Sequence, residues 1–394
     1  MRRRHHGLLA AAAASLALAG VAAPAHGAAI VETAASTSPT ALADWIATGP
    51  GGAVFVTLRT GNSSSSIVNM SAKPAITTQC VFGGSPCAIG AIVELQGGMW
   101  FASTIPINTQ SVHEPPSIGN LTLGPPPLAT LVQRLGQTDL PYSVAADPAG
   151  ALWVAQGQGV VARYVPGETE VTNYPLPVPS AGPLAITLGP DGAMWMTQTT
   201  ANTISRISTG EGSPTGTYTE FAVPSPRSGL YGIAAGPDGA VWFAESQTGR
   251  IGRITTAGAI TEFQIPIKNA SPRNLVAGPD GAIWFTDPGT NAVGRMTVEG
   301  KVTEYPLKTP RSVPNAITVG GDGLVWFTEA ANKAMVGRIA PGSPPSLRRS
   351  VQARVTGAKL PAAKRKAAAK KKQKSKAKRS TKKKAAKKQR VELR

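Results

Sequence analysis

Side chains able to carry a proton at neutral pH are scarce in this chain of 394 residues. Three of its four histidines, His5, His6 and His26, fall close to the N-terminus, which leaves His113, followed by Glu114, as the one imidazole in the body. Histidine is the ordinary general base because its unperturbed pKa lies near neutrality. His113 stands in a stretch from Thr104 to about Ser117 that breaks the surrounding strand pattern, where a solvated loop histidine is the plain structural reading. Other polar groups recur at fixed distances from tryptophans. Tyr142, Tyr231, Arg273 and Asn315 each stand 11 residues before one, and Gln156, Gln198, Glu245, Asp287 and Glu329 each stand three residues after one. If these positions share one face, Tyr142, Tyr231, Arg273, Asn315, Glu245 and Asp287 form a polar mouth for a ligand or a cation; solvated channel lining is the alternative. The two cysteines, Cys80 and Cys87, enclose six residues containing Gly, Ser and Pro. That spacing fits neither a CxxC redox pair nor a metal site, and in an oxidising compartment it predicts a structural disulfide.

The tryptophans themselves mark a repeat. Gly189-Pro-Asp-Gly-Ala-Met-Trp195, Gly236-Pro-Asp-Gly-Ala-Val-Trp242, Gly278-Pro-Asp-Gly-Ala-Ile-Trp284 and Gly320-Gly-Asp-Gly-Leu-Val-Trp326 nearly superpose; weaker copies end at Trp100 and Trp153, and a seventh ends at Phe55. The successive intervals of 45, 53, 42, 47, 42 and 42 residues are the length of a four-stranded propeller blade. Seven markers predict an all-β, seven-bladed propeller. Within a blade, strand a precedes Gly-Pro-Asp-Gly, the Asp-Gly pair turns the chain, and strand b carries the Trp. Strand c is of the type Arg250-Ile-Gly-Arg-Ile254 and strand d of the type Ile260-Thr-Glu-Phe263. The Trp and Phe read as core, and the turn acids lie at the opposite end from the polar mouth. Folding c on d about Ala257-Gly258 sets Arg253 opposite Glu262, and the same construction sets Arg295 opposite Glu304. The last blade lacks a strand d after Arg338. Ile30-Val-Glu-Thr33 supplies it from the other end of the chain, closing the ring, removing exposed edges and placing Glu32 near Arg338.

The two ends differ from this body. Residues 1–27 combine Arg2, Arg3 and Arg4 with an Ala-rich apolar run and a small-residue cleavage region, the pattern of an export signal too short to span a membrane. The propeller is expected over residues 28–343, with no membrane span after removal of the signal, and as a monomer. Residues 344–394 read as a disordered Lys/Ala-rich tail. From Ser346 onward there are 21 Lys and Arg against the single acid Glu392, so the net charge of +19 belongs to the tail and residues 1–345 carry about −1. A segment this basic and this poor in apolar residues buries no core and binds polyanions by releasing their counterions. For an exported protein these are teichoic acid, anionic polysaccharide, lipid head groups or extracellular DNA. The expected location is extracellular or at the cell envelope.

The recurring Gly-Pro-Asp-Gly-x-x-Trp-Phe-Thr-Glu, followed by Gly-Arg-Ile and Thr-Glu-Phe-x-x-Pro, resembles the virginiamycin B (streptogramin B) lyase family from about Ile30 to Gly342. The resemblance implies a seven-bladed propeller and an enzyme that opens a cyclic depsipeptide antibiotic by elimination across its ester, using a general-base histidine and Mg²⁺. It also implies which positions matter. The general base corresponds to Asn315, a second active-site histidine to Arg273, one metal-binding glutamate to Val313, and the other to Glu329, which is retained. Neither an amide nor a guanidinium accepts a proton at neutral pH, and one carboxylate is a thin site for Mg²⁺. The expectation is a non-lyase binding module held at the envelope by its tail. The alternative is a lyase in which His113 leans over the channel as a displaced base.

Overall fold

The computed structural model describes residues 30–356 except 37, 39, 61–63, 73–75, 80, 83–84, 87, 105–115, 123–127, 136–139, 209–216, 332, 343–349 and 353. Seven antiparallel sheets follow one another around a ring. Blade five shows the pattern: Leu230–Ala235, Ala240–Glu245, Arg250–Thr255 and Ile260–Gln264 run as strands a to d. Strand a is innermost. In blade seven, Pro314–Val319, Val325–Glu329 and Met335–Ile339 supply a, b and c, and the N-terminal Val31–Ala34 supplies d, with Val31 opposite Arg338 and Glu32 opposite Gly337. The ring is closed as the sequence predicts.

The repeat motif is a packing device. In blades four, five and six the turn aspartate accepts the indole N–H of the blade tryptophan through Oδ1 (Trp195–Asp191 2.9 Å, Trp242–Asp238 2.9 Å, Trp284–Asp280 3.0 Å). Its other oxygen pairs with the strand c arginine (Arg206 2.7 Å, Arg253 2.5 Å, Arg295 2.6 Å). In blades four and five that arginine also lies 6.0 Å above the indole, and in blades four to six the indole stacks on an aromatic residue of strand d: Phe221, Phe263 or Tyr305. Each indole is thus buried with its one polar atom satisfied, which is the condition for a tryptophan to serve as core.

The other side of the sheet is built around the phenylalanine next in sequence. A Cβ added to Gly252, Gly294 or Gly337 would stand 2.1, 2.1 and 2.0 Å from the rings of Phe243, Phe285 and Phe327, so strand c must be glycine where it crosses the ring. Between neighbouring blades the tryptophan face of one meets the phenylalanine face of the next, as where Trp242 joins Ile283 and Phe285 in one buried cluster.

The cross-strand ion pairs expected from the sequence do not form. Arg253 stands opposite Thr261 and Arg295 opposite Thr303, while Glu262 and Glu304 stand opposite Gly252 and Gly294. The c–d turn sets a register one residue away from the one drawn from the sequence, and because side chains alternate faces, one residue moves the glutamate to the other side of the sheet. There Glu262 accepts bonds from the Ser225 N–H at 2.9 Å and its hydroxyl at 3.0 Å, on the linker leading into its own blade. Glu32 does the equivalent with the Lys308 N–H and the Thr309 hydroxyl rather than meeting Arg338, whose guanidinium lies 5.2 Å over Trp326.

Two further strands, Ser350–Gln352 and Arg354–Thr356, add to the outer edges of blades six and five, pairing Val351 with Val302 and Val355 with Phe263. They fall inside the stretch that the sequence reading sets apart as tail, so the chain covers two blade edges before its most basic part begins. Among the described residues no helix is long and apolar enough to cross a membrane. The proposed export signal and residues 357–394 lie outside the described residues.

Candidate functional site

The seven innermost strands enclose a cavity of about 140 Å³ on the ring axis. Its wall takes one residue from each blade at the same offset, nine before the marker aromatic: Ile46, Ala91, Val144, Ile186, Ile233, Leu275 and Ile317. The waist of the channel is therefore apolar, with Ser143 and Asn274 as its polar lining side chains.

Two residues earlier on each strand stands the offset-11 position, and there the backbone departs from regular pairing. Strand a shifts register across this residue in blades one, three, four, five and seven, and just after it in blade two, where Ile89 pairs with Ser103. A bulge leaves one residue unpaired and re-aims its side chain, and such bulges gather beside functional sites. Around the ring these positions hold Asp44, Ile89, Tyr142, Leu184, Tyr231, Arg273 and Asn315.

Four of them, on blades five, six, seven and one, form a connected arc. The Arg273 guanidinium lies 5.5 Å over the Tyr231 ring. Asn315 donates from Nδ2 to the Asp44 carbonyl at 2.9 Å, joining blade seven to blade one. Asp44 accepts Nε of Arg59 at 2.7 Å. Blade-to-blade registry beneath this arc comes from threonines two residues after the tryptophan: Thr197 donates to the Tyr231 carbonyl at 2.7 Å and Thr286 to the Asn315 carbonyl at 2.6 Å. Tyr142, 40% exposed, lies on blade three, with its ring over Gly157. The structure thus brings Tyr231, Arg273 and Asn315 to one arc. Asp44 and Arg59 were missed in the sequence because the blade-one marker is Phe55 rather than Trp, although Asp44 stands at the same offset of 11.

Glu245, Asp287 and Glu329 do not reach the mouth, which corrects the expectation of a polar ring on one face. All three are fully buried, as are Gln156 and Gln198. Strand b is one layer out from the channel, so its last residue is covered by strand a and by the linker from the preceding blade. Each acid has a second carboxylate or a linker donor beside it. Glu245 accepts the Thr248 hydroxyl at 3.0 Å through one oxygen. Burial, and then the neighbouring Glu262 charge, push Glu245 up to about 8. Burial thus favours the neutral acid near pH 7, the form whose bare Oε1 costs least to leave without a partner. Asp287 accepts the N–H groups of Ser271 at 2.9 Å and Thr290 at 3.2 Å, while burial raises its pKa. Burial pushes Glu329 up to about 7, and the Glu32 charge adds to it. His113 and the insertion around it lie outside the described residues, as do Cys80 and Cys87.

A sequence profile of the virginiamycin B lyase family matches residues 131–345, more than half of the chain. The chain belongs to that family. Solved structures agree. Virginiamycin B lyase from Staphylococcus aureus is 29% identical with a TM-score of 0.67, over 79% of this chain and 99% of that one. The same figures hold for a catalytically inactive histidine-to-alanine variant of that enzyme with quinupristin. A streptogramin B lyase structure, also 29% identical, gives 0.66 over 79% of this chain and 98% of the other. None of the curated proteins matches the chain in sequence.

Within the virginiamycin B lyase family the resemblance places Mg²⁺ beside Glu329 and Val313. Both Glu329 carboxylate oxygens are buried without a hydrogen-bond partner, which is what a cation site leaves behind. The rest of the donor set is missing. Val313 offers no side-chain oxygen, and no cluster of three His, Cys, Asp or Glu stands together among the described residues. Mg²⁺ demands a nearly complete octahedron of oxygens, and a carboxyl poised at about 7 is held as readily by a proton. These residues do not fit the metal. Val313 also keeps the left-handed backbone, φ 53°, that glycine serves at the same offset in blades four and five (Gly182 φ 67°, Gly229 φ 65°). For a β-branched residue that conformation is strained.

Proposed function

We propose that the chain is an exported, non-lyase member of the family: a propeller whose channel mouth binds a ligand or a protein and whose lysine-rich tail retains it at the cell envelope. The observation that carries this reading is the state of Asn315. At the position of the general base stands an amide, and its Nδ2 is committed to the Asp44 carbonyl at 2.9 Å. An amide takes no proton at neutral pH, so elimination from a substrate seated there has no acceptor. Arg273 at the second histidine position and the incomplete metal site support the same conclusion.

The tail contributes the second half of the reading. Its 21 basic groups favour phosphate and carboxylate arrays such as teichoic acid, anionic polysaccharide, lipid head groups or extracellular DNA, with an affinity that falls steeply with salt. Export over residues 1–27 makes the compartment oxidising and supports a Cys80–Cys87 disulfide. Val81–Phe82 and Ser85–Pro86 between those cysteines pair as a short hairpin, Val81 opposite Pro86, which favours it further. The protein acts as a monomer in this reading.

Incubation of the purified protein with a streptogramin B and Mg²⁺, followed by mass spectrometry of the intact ring, tests the central claim. No ring opening is expected. Turnover that vanishes in His113→Ala would replace the proposal with a lyase using a displaced base. Deletion of residues 359–394 is expected to abolish salt-sensitive retention on a polyanion matrix; retention that survives the deletion places the binding elsewhere.

A further inference from the structure

Among the described residues the channel mouth holds a cation without a carboxylate partner. Asp44, Asp191, Asp238 and Asp280 answer Arg59, Arg206, Arg253 and Arg295, but no carboxylate among the described residues comes within ion-pair distance of Arg273. Arg273 is nevertheless held in place. Its N–H donates to the Thr286 carbonyl at 2.9 Å, its carbonyl accepts the Gly232 N–H at 2.9 Å, and its guanidinium rests on Tyr231. A half-buried guanidinium fixed at both backbone ends and stacked on a ring has lost most of its freedom in advance, so an anion that meets it incurs little further ordering cost.

The neighbouring blade presents the complementary group. Because Nδ2 of Asn315 donates to Asp44, the amide orientation is set, and Oδ1 is left buried without any hydrogen-bond partner. Its carbonyl is pinned as well, by Asn274 Nδ2 at 3.1 Å and by the Thr286 hydroxyl at 2.6 Å. Thr286 thus anchors both residues, accepting from one and donating to the other. A buried acceptor left unpaired carries a desolvation cost, which a ligand donor recovers.

We infer that the mouth binds a peptide C-terminus: a carboxylate on Arg273, with the neighbouring peptide N–H given to Oδ1 of Asn315. This rests on the non-lyase binding reading and specifies its ligand. A planar guanidinium receives a carboxylate through two parallel hydrogen bonds, and an acceptor on the next blade selects carboxylates that carry an N–H over simple anions.

The test is a titration of the full-length protein, followed by NMR, with N-acetyl-dialanine, its C-terminal amide, and propionate. N-acetyl-dialanine is expected to saturate a single site. The amide lacks the charge and propionate lacks the N–H, and each is expected to bind at least about tenfold more weakly, the equivalent of roughly 1.4 kcal/mol. Arg273→Met keeps the length and the contact with Tyr231 and is expected to lower affinity by at least about tenfold, while Arg273→Lys retains part of it. The basic tail is common to all these proteins, so the difference between them belongs to the mouth. Equal binding of acid and amide, undiminished binding by Arg273→Met, or absence of saturable binding would each overturn the inference. Streptogramin turnover reports separately: ring opening removes the non-lyase reading whatever the peptide does. Peptide amide binding without turnover leaves that reading standing and removes only the carboxylate.

Discussion

The two ends of each blade obey different rules. At the turn end, blades four, five and six repeat one arrangement almost atom for atom: indole N–H on aspartate, the same aspartate on arginine, and the indole on an aromatic residue of strand d. At the channel end the equivalent positions hold Leu184, Tyr231, Arg273 and Asn315, four chemistries on four consecutive blades. The turn end solves the same packing problem in every blade and so keeps one answer. The channel end faces a common axis where no two positions need be alike, and the residue 11 before each marker aromatic is free to differ.

The sharpest way to break this comparison is to cut both ends of one blade. Trp284→Ala removes a fully buried indole and leaves Asp280 without one of its partners; a loss of roughly 3–5 kcal/mol is expected in urea denaturation. Arg273→Met, on the same blade, is expected to change stability by no more than about 0.5 kcal/mol, because the side chain makes no ion pair and the backbone bonds remain. Comparable losses from the two would mean that the mouth is as structural as the turn end.

This division also explains what the sequence discloses. The seven blades, their strands and the N-terminal closure are legible because Gly-Pro-Asp-Gly-x-x-Trp states a turn and a core residue at a period that only a blade satisfies. The sequence also finds the arc of Tyr231, Arg273 and Asn315, since their offset from the tryptophan is constant. Two things escape it. The Arg253–Glu262 pairing fails because one residue of turn register exchanges the faces of a strand, and nothing local to Ala257-Gly258 reports it. The burial of Glu245, Asp287 and Glu329 escapes because a carboxylate ordinarily signals solvent. Strand a and the linker from the preceding blade, absent from any local pattern, cover these three, and that burial raises their pKa values.

Those buried acids supply a pH test of intermediate size. Glu245 holds its proton in the native state up to about 8 against an ordinary value of 4.5, so between these limits the folded chain binds more protons than the unfolded one. Stability from this group is complete below about pH 4.5, declines as pH rises, and is gone above about 8. Glu245→Gln replaces the neutral acid by a neutral amide, which blades three and four already accommodate at the same offset as Gln156 and Gln198. The variant is expected to match the parent near pH 5 and to exceed it by about 1–3 kcal/mol at pH 9 in chemical denaturation. Parallel pH profiles for the two proteins would show that Glu245 is ionised in the fold.

The smallest effect concerns the channel end of blade seven, where Val313 occupies a backbone shape that glycine serves in blades four and five. Holding the left-handed region costs a β-branched residue about 1–2 kcal/mol, and glycine, which removes that strain, gives back roughly 0.5–1 kcal/mol of the gain through its greater freedom in the unfolded chain. Val313→Gly is therefore expected to stabilise the protein by less than about 1 kcal/mol, read as a small rise in the urea midpoint at constant slope. A fall instead would mean that the valine side chain packs well enough to offset its strain, and that this position is governed by the packing rule of the turn end. A rise without loss of peptide binding would place the strain outside the arc of Arg273 and Asn315, leaving the channel end to be defined by its side chains alone.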